Sequence, residues 1–168
     1  MAKLIILMGV SGSGKTSIGE ALAQKISAQF IDGDHLHSQR NIDKMASGIP
    51  LTDADRYDWL KLIGEVGKRE VDNNINCIIA CSALKKSYRD IIRAENENLI
   101  FIYLKGSFEL IESRLSSRKG HYMPKGLLKS QFDVLEEPKD EETDVITIEI
   151  NQDISEIINE IIKSVKVS

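Results

Sequence analysis

Eight consecutive residues near the start of the chain, Gly9-Val10-Ser11-Gly12-Ser13-Gly14-Lys15-Thr16, fit the pattern G-x-x-x-x-G-K-[ST]. They follow an apolar run, Leu4 to Met8, and precede an amphipathic stretch, which is the context the pattern needs. Glycines at this spacing let successive backbone N–H groups turn inward on phosphate oxygens, and the helix that follows adds the partial positive charge of its N-terminus. Lys15 is placed to reach the β- and γ-phosphates, and Thr16 to offer its hydroxyl to Mg²⁺. The alternative is a glycine-rich turn that binds nothing. Strand, loop, Lys-Thr pair and helix in the correct order weigh heavily against it.

A phosphate cradle serves enzymes and nucleotide-gated switches alike, so the carboxylates matter next. Many proteins with this loop end a neighbouring apolar strand in a metal-binding aspartate, but here the third apolar run ends Cys81-Ser82-Ala83. The second run ends instead in Ile31-Asp32-Gly33-Asp34, at the carboxyl edge where α/β sheets bind ligands. Asp32 and Asp34 are therefore the leading acids. One could support the metal, here assigned to Asp32; the other, Asp34, could accept the proton of an attacking hydroxyl or orient it. An Asx-turn role for one of the two is the competing reading. Charge developing on a transferred phosphoryl group calls for cations. Arg114 and Arg118 lie four apart on one helical face, with Lys119-Gly120-His121-Tyr122-Met123-Pro124 beyond them, a composition suited to a closing lid.

Positioning these groups requires a scaffold, and short β-branched runs alternate with helical patterns along the whole chain. Leu4 to Met8, Phe30 to Ile31, Cys77 to Cys81, Leu99 to Leu104 and Val145 to Ile150 read as strands. Runs apolar at every position imply strands buried on both faces, hence a parallel sheet covered by helices and an α/β fold. Ile18, Leu22 and Ile26 form one helical stripe; Trp59, Leu60, Ile63 and Val66 form another; Ile154, Ile157, Ile158, Ile161, Ile162 and Val165 form a third. Thr52 and Asp55 have the spacing of a capping box. The acidic stretch Glu136-Glu137-Pro138-Lys139-Asp140-Glu141-Glu142 reads as a solvated loop.

Composition narrows the classes further. The 168 residues are 42% hydrophobic and 29% charged, with 22 basic against 26 acidic side chains, a size that suits one domain spanning 1–168. The net charge of −4 and a pI near 5.5 argue against nucleic acid as a partner. No apolar run approaches the roughly 18 residues that cross a bilayer, and the short first run lacks the cleavage site of a leader, so no membrane partner and a cytoplasmic location are expected. Cys77 and Cys81, about 13 Å apart along a strand, lie beyond disulfide reach and should be free core thiols.

At this point the residues resemble the bacterial-type gluconate kinases, relatives of shikimate kinase with the P-loop nucleoside-monophosphate-kinase-like fold. The resemblance covers almost the whole chain. It rests on the P-loop and on Asp32-Gly33-Asp34 with Leu36-His37 and Asn41; on Lys44-Met45-Ala46-Ser47-Gly48 with Pro50-Leu51; and on Asp53 and Asp55-Arg56 with Trp59-Leu60. Further on it rests on Cys81-Ser82-Ala83-Leu84-Lys85-Lys86 with Tyr88-Arg89-Asp90, on Phe101 to Gly106, on Glu112-Ser113-Arg114-Leu115, on Arg118-Lys119-Gly120-His121 and on Gln131-Phe132. It implies ATP and Mg²⁺ as cofactors, transfer of a phosphoryl group to the 6-hydroxyl of D-gluconate, a five-stranded parallel sheet in the order 2-3-1-4-5 flanked by helices, and a lid at approximately 118–130. The family is often dimeric, which makes a homodimer an expectation. Ser38 and Tyr122 replace a common proline and phenylalanine; Ser38 can cap the next helix.

A polyol acid needs a cation for its carboxylate, polar partners for its hydroxyls and a carboxylate near the reacting oxygen. Arg56, Lys85 and Arg89 are the candidate cations, His37, Lys44 and Ser82 the hydroxyl partners, and Asp34 the group at the attacking oxygen. The readings that compete are a kinase for another small acceptor, such as shikimate or a nucleoside monophosphate, and an ATP-gated binding module without an acceptor. A GTPase switch is disfavoured, because no Asn-Lys-x-Asp segment is present.

Overall fold

The computed structural model describes residues 1–117 and 125–165. The expected Arg118 and the lid residues up to 124 lie outside the described residues. Five strands, β1 (Leu4–Met8), β2 (Gln29–Asp32), β3 (Cys77–Ala80), β4 (Leu99–Lys105) and β5 (Val145–Glu149), form one parallel sheet in the order β2-β3-β1-β4-β5. Seven helices alternate with them: α1 (Lys15–Ile26), α2 (Gln39–Ala46), α3 (Asp53–Asp72), α4 (Lys86–Arg93), α5 (Phe108–Ser117), α6 (Lys125–Val134) and α7 (Ile154–Val165). The expected strand order and class are those found.

Every residue of β1 and β3 is buried, which accounts for their unbroken apolar runs. Alternate side chains of the central strands feed two cores. Ile5, Leu7, Ile102 and Leu104 face α1 and α7, while Leu4, Ile6, Phe101 and Tyr103 face α3 and α4. The stripe Trp59, Leu60, Ile63 and Val66 is buried throughout, as expected. In α7, Ile157, Ile158, Ile161 and Val165 are buried, but Ile154, at the first turn, is exposed. Strand β2 is longer than the two apolar residues that announced it: at the sheet edge Gln29 is exposed and Phe30, Ile31 and Asp32 are only partly buried, so polar residues are tolerated at both its ends. Cys77 and Cys81 are buried free thiols, and burial pushes both up to about 12.

One sequence expectation fails here. The acidic stretch before β5 is not uniformly solvated: the Glu142 side chain is 3% exposed and paired with Arg89, which is itself completely buried. Arg89 Nε and Nη2 donate to the two Glu142 carboxylate oxygens at 2.7 and 2.8 Å, and Arg93 Nη2 donates to Glu142 Oε1 at 2.6 Å. An acid reads as a surface residue by type, yet two arginines from α4, about fifty positions earlier, satisfy this one in the interior.

Candidate active site

The loop between β1 and α1 is shaped by glycines that enter conformations other residues avoid: φ is +82° at Gly12 and +98° at Gly14. Gly9 N–H donates to Ser82 O at 3.2 Å, tying the loop's start to the end of β3. Lys15 Nζ folds back over the loop and donates to Gly9 O at 2.9 Å and Val10 O at 3.1 Å. Burial lowers the Lys15 pKa, against the opposing pull of Asp34, Cys81 and Asp32. Ser13 is fully buried, yet among the described residues its hydroxyl has no hydrogen-bond partner and the N-terminus of α1 carries no side-chain cap. A buried orphan hydroxyl, a desolvated ammonium and uncapped amides around one loop form a cradle whose polar groups await an anion, and a polyphosphate chain fits that donor set. Thr16 is exposed at its rim. Among the described residues no cluster of three or more His, Cys, Asp or Glu side chains could hold a metal by itself. Mg²⁺ needs no such cluster, because it takes one or two protein oxygens and fills its shell with phosphates and water.

The acid pair lies where expected. After Asp32 the chain must pass directly over the neighbouring strand: a Cβ on Gly33 would come within 2.4 Å of Ala80 O, so only glycine allows the turn. Asp32 Oδ1 accepts from Asp34 N–H at 3.0 Å and caps the 3₁₀ turn Gly33–Leu36. Asp32 thus fills the Asx-turn role, and its second carboxylate oxygen accepts no hydrogen bond among the described residues. Asp34 is exposed, and its carboxylate accepts no hydrogen bond among the described residues.

Helix α3 builds the facing wall. The capping box is complete: Thr52 Oγ1 accepts from Asp55 N–H at 3.1 Å, and Asp55 Oδ2 accepts from Thr52 N–H at 3.0 Å. The Thr52 N–H and, next, the Lys44 ammonium at 2.9 Å hold the Asp55 carboxyl down to about 2. With the helix start fixed, Arg56 and Trp59 fall on one face. Trp59 Nε1 donates to Gly33 O at 2.8 Å, and its indole stacks on His37 with ring centroids 4.0 Å apart. Arg56 Nη1 donates to Leu51 O at 2.7 Å and Tyr88 Oη at 3.2 Å. Tyr88 Oη in turn donates to Asp53 Oδ1 at 2.6 Å, and Lys85 Nζ sits 3.3 Å from the same oxygen. Arg56, Lys85 and Lys44 are thereby gathered into one polar wall with Asp53, Asp55 and Tyr88, while Ser82 lies at the end of β3 beside the cradle.

Arg89 is the exception. Besides Glu142, it donates through Nη1 to Ala83 O at 2.8 Å and through Nη2 to Glu136 O at 2.9 Å. A guanidinium that is 0% exposed and spent on internal partners is not available to a substrate, so the expected carboxylate contact from Arg89 is withdrawn. Arg114 is partly buried on α5, and its Nη2 donates to Ile150 O just after β5. Its helix also reaches the cradle, because Leu115 lies where a Cβ on Gly12 would be, at 2.7 Å. Gln131 on α6 was given no role by sequence reasoning, yet its Oε1 accepts from Ser11 N–H at 2.7 Å and its Nε2 donates to Ser11 Oγ at 2.9 Å. Asp53, Tyr88 and Asn41 were likewise matched without a role, and Asp55 was read only as a helix cap. The ties Asn41–Asp55, Lys44–Asp55 and Asp53–Tyr88 join positions 11 to 35 apart and leave no local signature.

A family model described as shikimate kinase matches residues 11–166. The chain is 47% identical to the "Thermoresistant gluconokinase" of Escherichia coli (strain K12), over 97% of this chain and 93% of the relative. It is 50% identical to the "Thermosensitive gluconokinase" of the same organism, over 90% of this chain and 81% of the relative. Among solved structures, a gluconokinase from Sinorhizobium meliloti 1021 superposes with a TM-score of 0.87 at 42% identity, covering 98% of this chain and 91% of that one. Among the described residues no helix is long and apolar enough to cross a membrane.

Proposed function

From the premise that the chain belongs to the gluconokinase family, within the wider shikimate kinase family of ATP-dependent kinases, we propose that it transfers the γ-phosphoryl group of ATP to the 6-hydroxyl of D-gluconate. The observation that carries this reading is identity of 47–50% to two named gluconokinases across nearly the whole chain. The site supports it. The loop amides, Ser13 and Lys15 would hold the phosphate chain; Thr16 and the free oxygen of Asp32 would hold Mg²⁺. That ion, when bound, neutralises charge on the β- and γ-oxygens.

In the transfer a bond forms between the 6-oxygen of gluconate and the γ-phosphorus, the bond to the departing ADP oxygen breaks, and the hydroxyl proton leaves. Asp34, carrying no internal hydrogen bond to its carboxylate among the described residues, is placed to accept that proton or to orient the hydroxyl. Arg56 and Lys85 are the cations for the substrate carboxylate, and His37, Lys44 and Ser82 the partners of its hydroxyls. Arg114, with Arg118 from beyond the described residues, supplies charge opposite the transferring group. A homodimer and a cytoplasmic location belong to the same reading; light scattering on purified protein tests the first.

The decisive experiment is an acceptor screen. Protein, ATP and Mg²⁺ are mixed with gluconate, shikimate, AMP or CMP, and ADP release is followed. Gluconate alone should stimulate release strongly. Stimulation by another acceptor and not by gluconate refutes the substrate assignment. ATP binding with no acceptor-dependent turnover would favour a nucleotide-gated module.

A further inference from the structure

His37 stacks on Trp59 at 4.0 Å with an interplanar angle of 17°, so one ring face is closed and its two nitrogens decide what it can do. One is met by Asn41, which is 4% exposed. Ser38 caps α2 by accepting from Asn41 N–H at 3.2 Å, fixing the backbone there. The Asn41 carboxamide nitrogen lies 2.9 Å from Asp55 O and 3.3 Å from His37 Nδ1.

A backbone carbonyl can only accept, so the group facing Asp55 O must be the NH₂ and not the amide oxygen. Its second hydrogen then points to His37 Nδ1, which must present a lone pair. A neutral imidazole with a lone pair on Nδ1 carries its proton on Nε2. The doubly protonated ring is disfavoured too, since it would set an N–H against the amide's N–H. The His37 pKa moves the same way: burial lowers it, the Asp34 carboxylate opposes, and Arg56 adds to the lowering. No other hydrogen bond reaches the ring among the described residues, so the Nε2–H donor is unspent.

We propose that Asn41 is a positioning residue that locks His37 as the Nε2–H tautomer, making the ring a hydrogen-bond donor to an acceptor hydroxyl and leaving it unable to serve as a base. The inference rests on the reading above, in which the acceptor lies against Asp34 and His37. It sharpens that reading into a specificity rule. A fixed donor beside a carboxylate is satisfied by a hydroxyl, which accepts from His37 while donating to Asp34. A carboxylate at the same point would face Asp34 with like charge, and a carbonyl would leave Asp34 unpaired. The proton-accepting role thus falls to Asp34 and not to the nearby imidazole.

Wild-type protein labelled with ¹⁵N-histidine gives the first test: long-range ¹H–¹⁵N spectra at neutral pH should show His37 neutral and protonated on Nε2. Asn41→Asp replaces the donor by an acceptor-only group and should convert the neutral ring to the Nδ1–H form. The KM for gluconate should then rise about tenfold, as expected for one lost hydrogen bond, with the KM for MgATP unchanged. If that variant fails to fold, His37→Gln, which can carry a donor near the Nε2 position, should raise the gluconate KM several-fold less than His37→Asn, which cannot. A wild-type Nδ1–H tautomer, a tautomer change with no effect on the gluconate KM, or equal losses in the Gln and Asn variants would each overturn the inference. Failure of wild-type protein to turn over gluconate at all would instead overturn the substrate reading, leaving the tautomer assignment to stand or fall on the spectrum.

Discussion

At the scale of single residues the proposed reaction divides its work between Lys15 and Asp34, and the two make different predictions. The Lys15 ammonium is desolvated and spends its donors on Gly9 O and Val10 O. These are contacts a phosphate oxygen can replace with a full charge. Lys15→Ala should lower kcat by about 10²–10³, the usual cost of removing one preorganised donor to developing charge, while the thermal midpoint stays near that of wild type; steady-state assays and calorimetry on the same sample check both. Among the described residues Asp34 makes no side-chain hydrogen bond to a phosphate-holding group, so Asp34→Asn should cut kcat by about 10²–10⁴ with MgATP affinity nearly intact. A variant as active as wild type would remove Asp34 from the reaction. The positions of both were legible in the sequence because each belongs to a contiguous segment whose order carries its meaning: strand, glycine loop, Lys-Thr and helix for one, the end of a strand for the other. Arg89 was not. Its type suggests a ligand cation, and only the fold reveals that Glu142, 53 positions later, already occupies it.

Between residues and whole molecule, the elements are held in register by ties that run far along the chain. The buried cluster joining α4 to the segment before β5 is one. Burial alone would raise the Glu142 pKa, but hydrogen bonds from Arg89 and Arg93 outweigh it and hold the carboxyl at about 2. A carboxylate depressed in the folded state stabilises above its unfolded pKa and loses that contribution as pH falls through the folded value. Stability from this cluster should therefore be fully present at neutral pH and fade between about 4.5 and about 2. Glu142→Gln should cost about 3–5 kcal/mol, because it strands the buried Arg89 charge, and should flatten the acid limb; urea titrations at several pH values read both effects. Gln131 is the second tie, joining α6 to Ser11 of the cradle. Gln131→Ala should raise the KM for MgATP by up to about tenfold, the scale of one or two net hydrogen bonds, with a smaller effect on the gluconate KM. Periodicity located the stripe of α3, and the Thr52–Asp55 spacing located its start, because both signals are local. The tie from Gln131 to Ser11 spans 120 positions and has no periodic signature. The strand order likewise came from the resemblance and not from the pattern of apolar runs, since any pairing of buried strands shows the same runs.

Across the whole molecule, the cradle and the acceptor wall share one sheet edge but belong to different elements: the first hangs on β1 and α1, the second on the end of β2, the start of α3 and the segment after β3. Ligands that bind these parts should therefore stabilise the fold separately and together. Anything that binds only the folded state contributes RT ln(1 + [L]/Kd), about 2.7 kcal/mol at a hundredfold excess over Kd. For a chain of this size each kcal/mol moves the thermal midpoint by about 2–4 °C, so saturating Mg²⁺ with a non-hydrolysable ATP analogue should raise it by about 5–10 °C. Gluconate added on top should raise it further, and shikimate at the same concentration should not. A kinase requires both shifts together with acceptor-dependent ADP release when ATP replaces the analogue. An ATP-gated binding module gives the nucleotide shift alone. A wrong acceptor removes the second shift just as a binding module does, so the two classes are separated by running the shift across the whole acceptor screen, whereas absence of the first shift would mean that the loop from Gly9 to Thr16 does not hold a triphosphate at all.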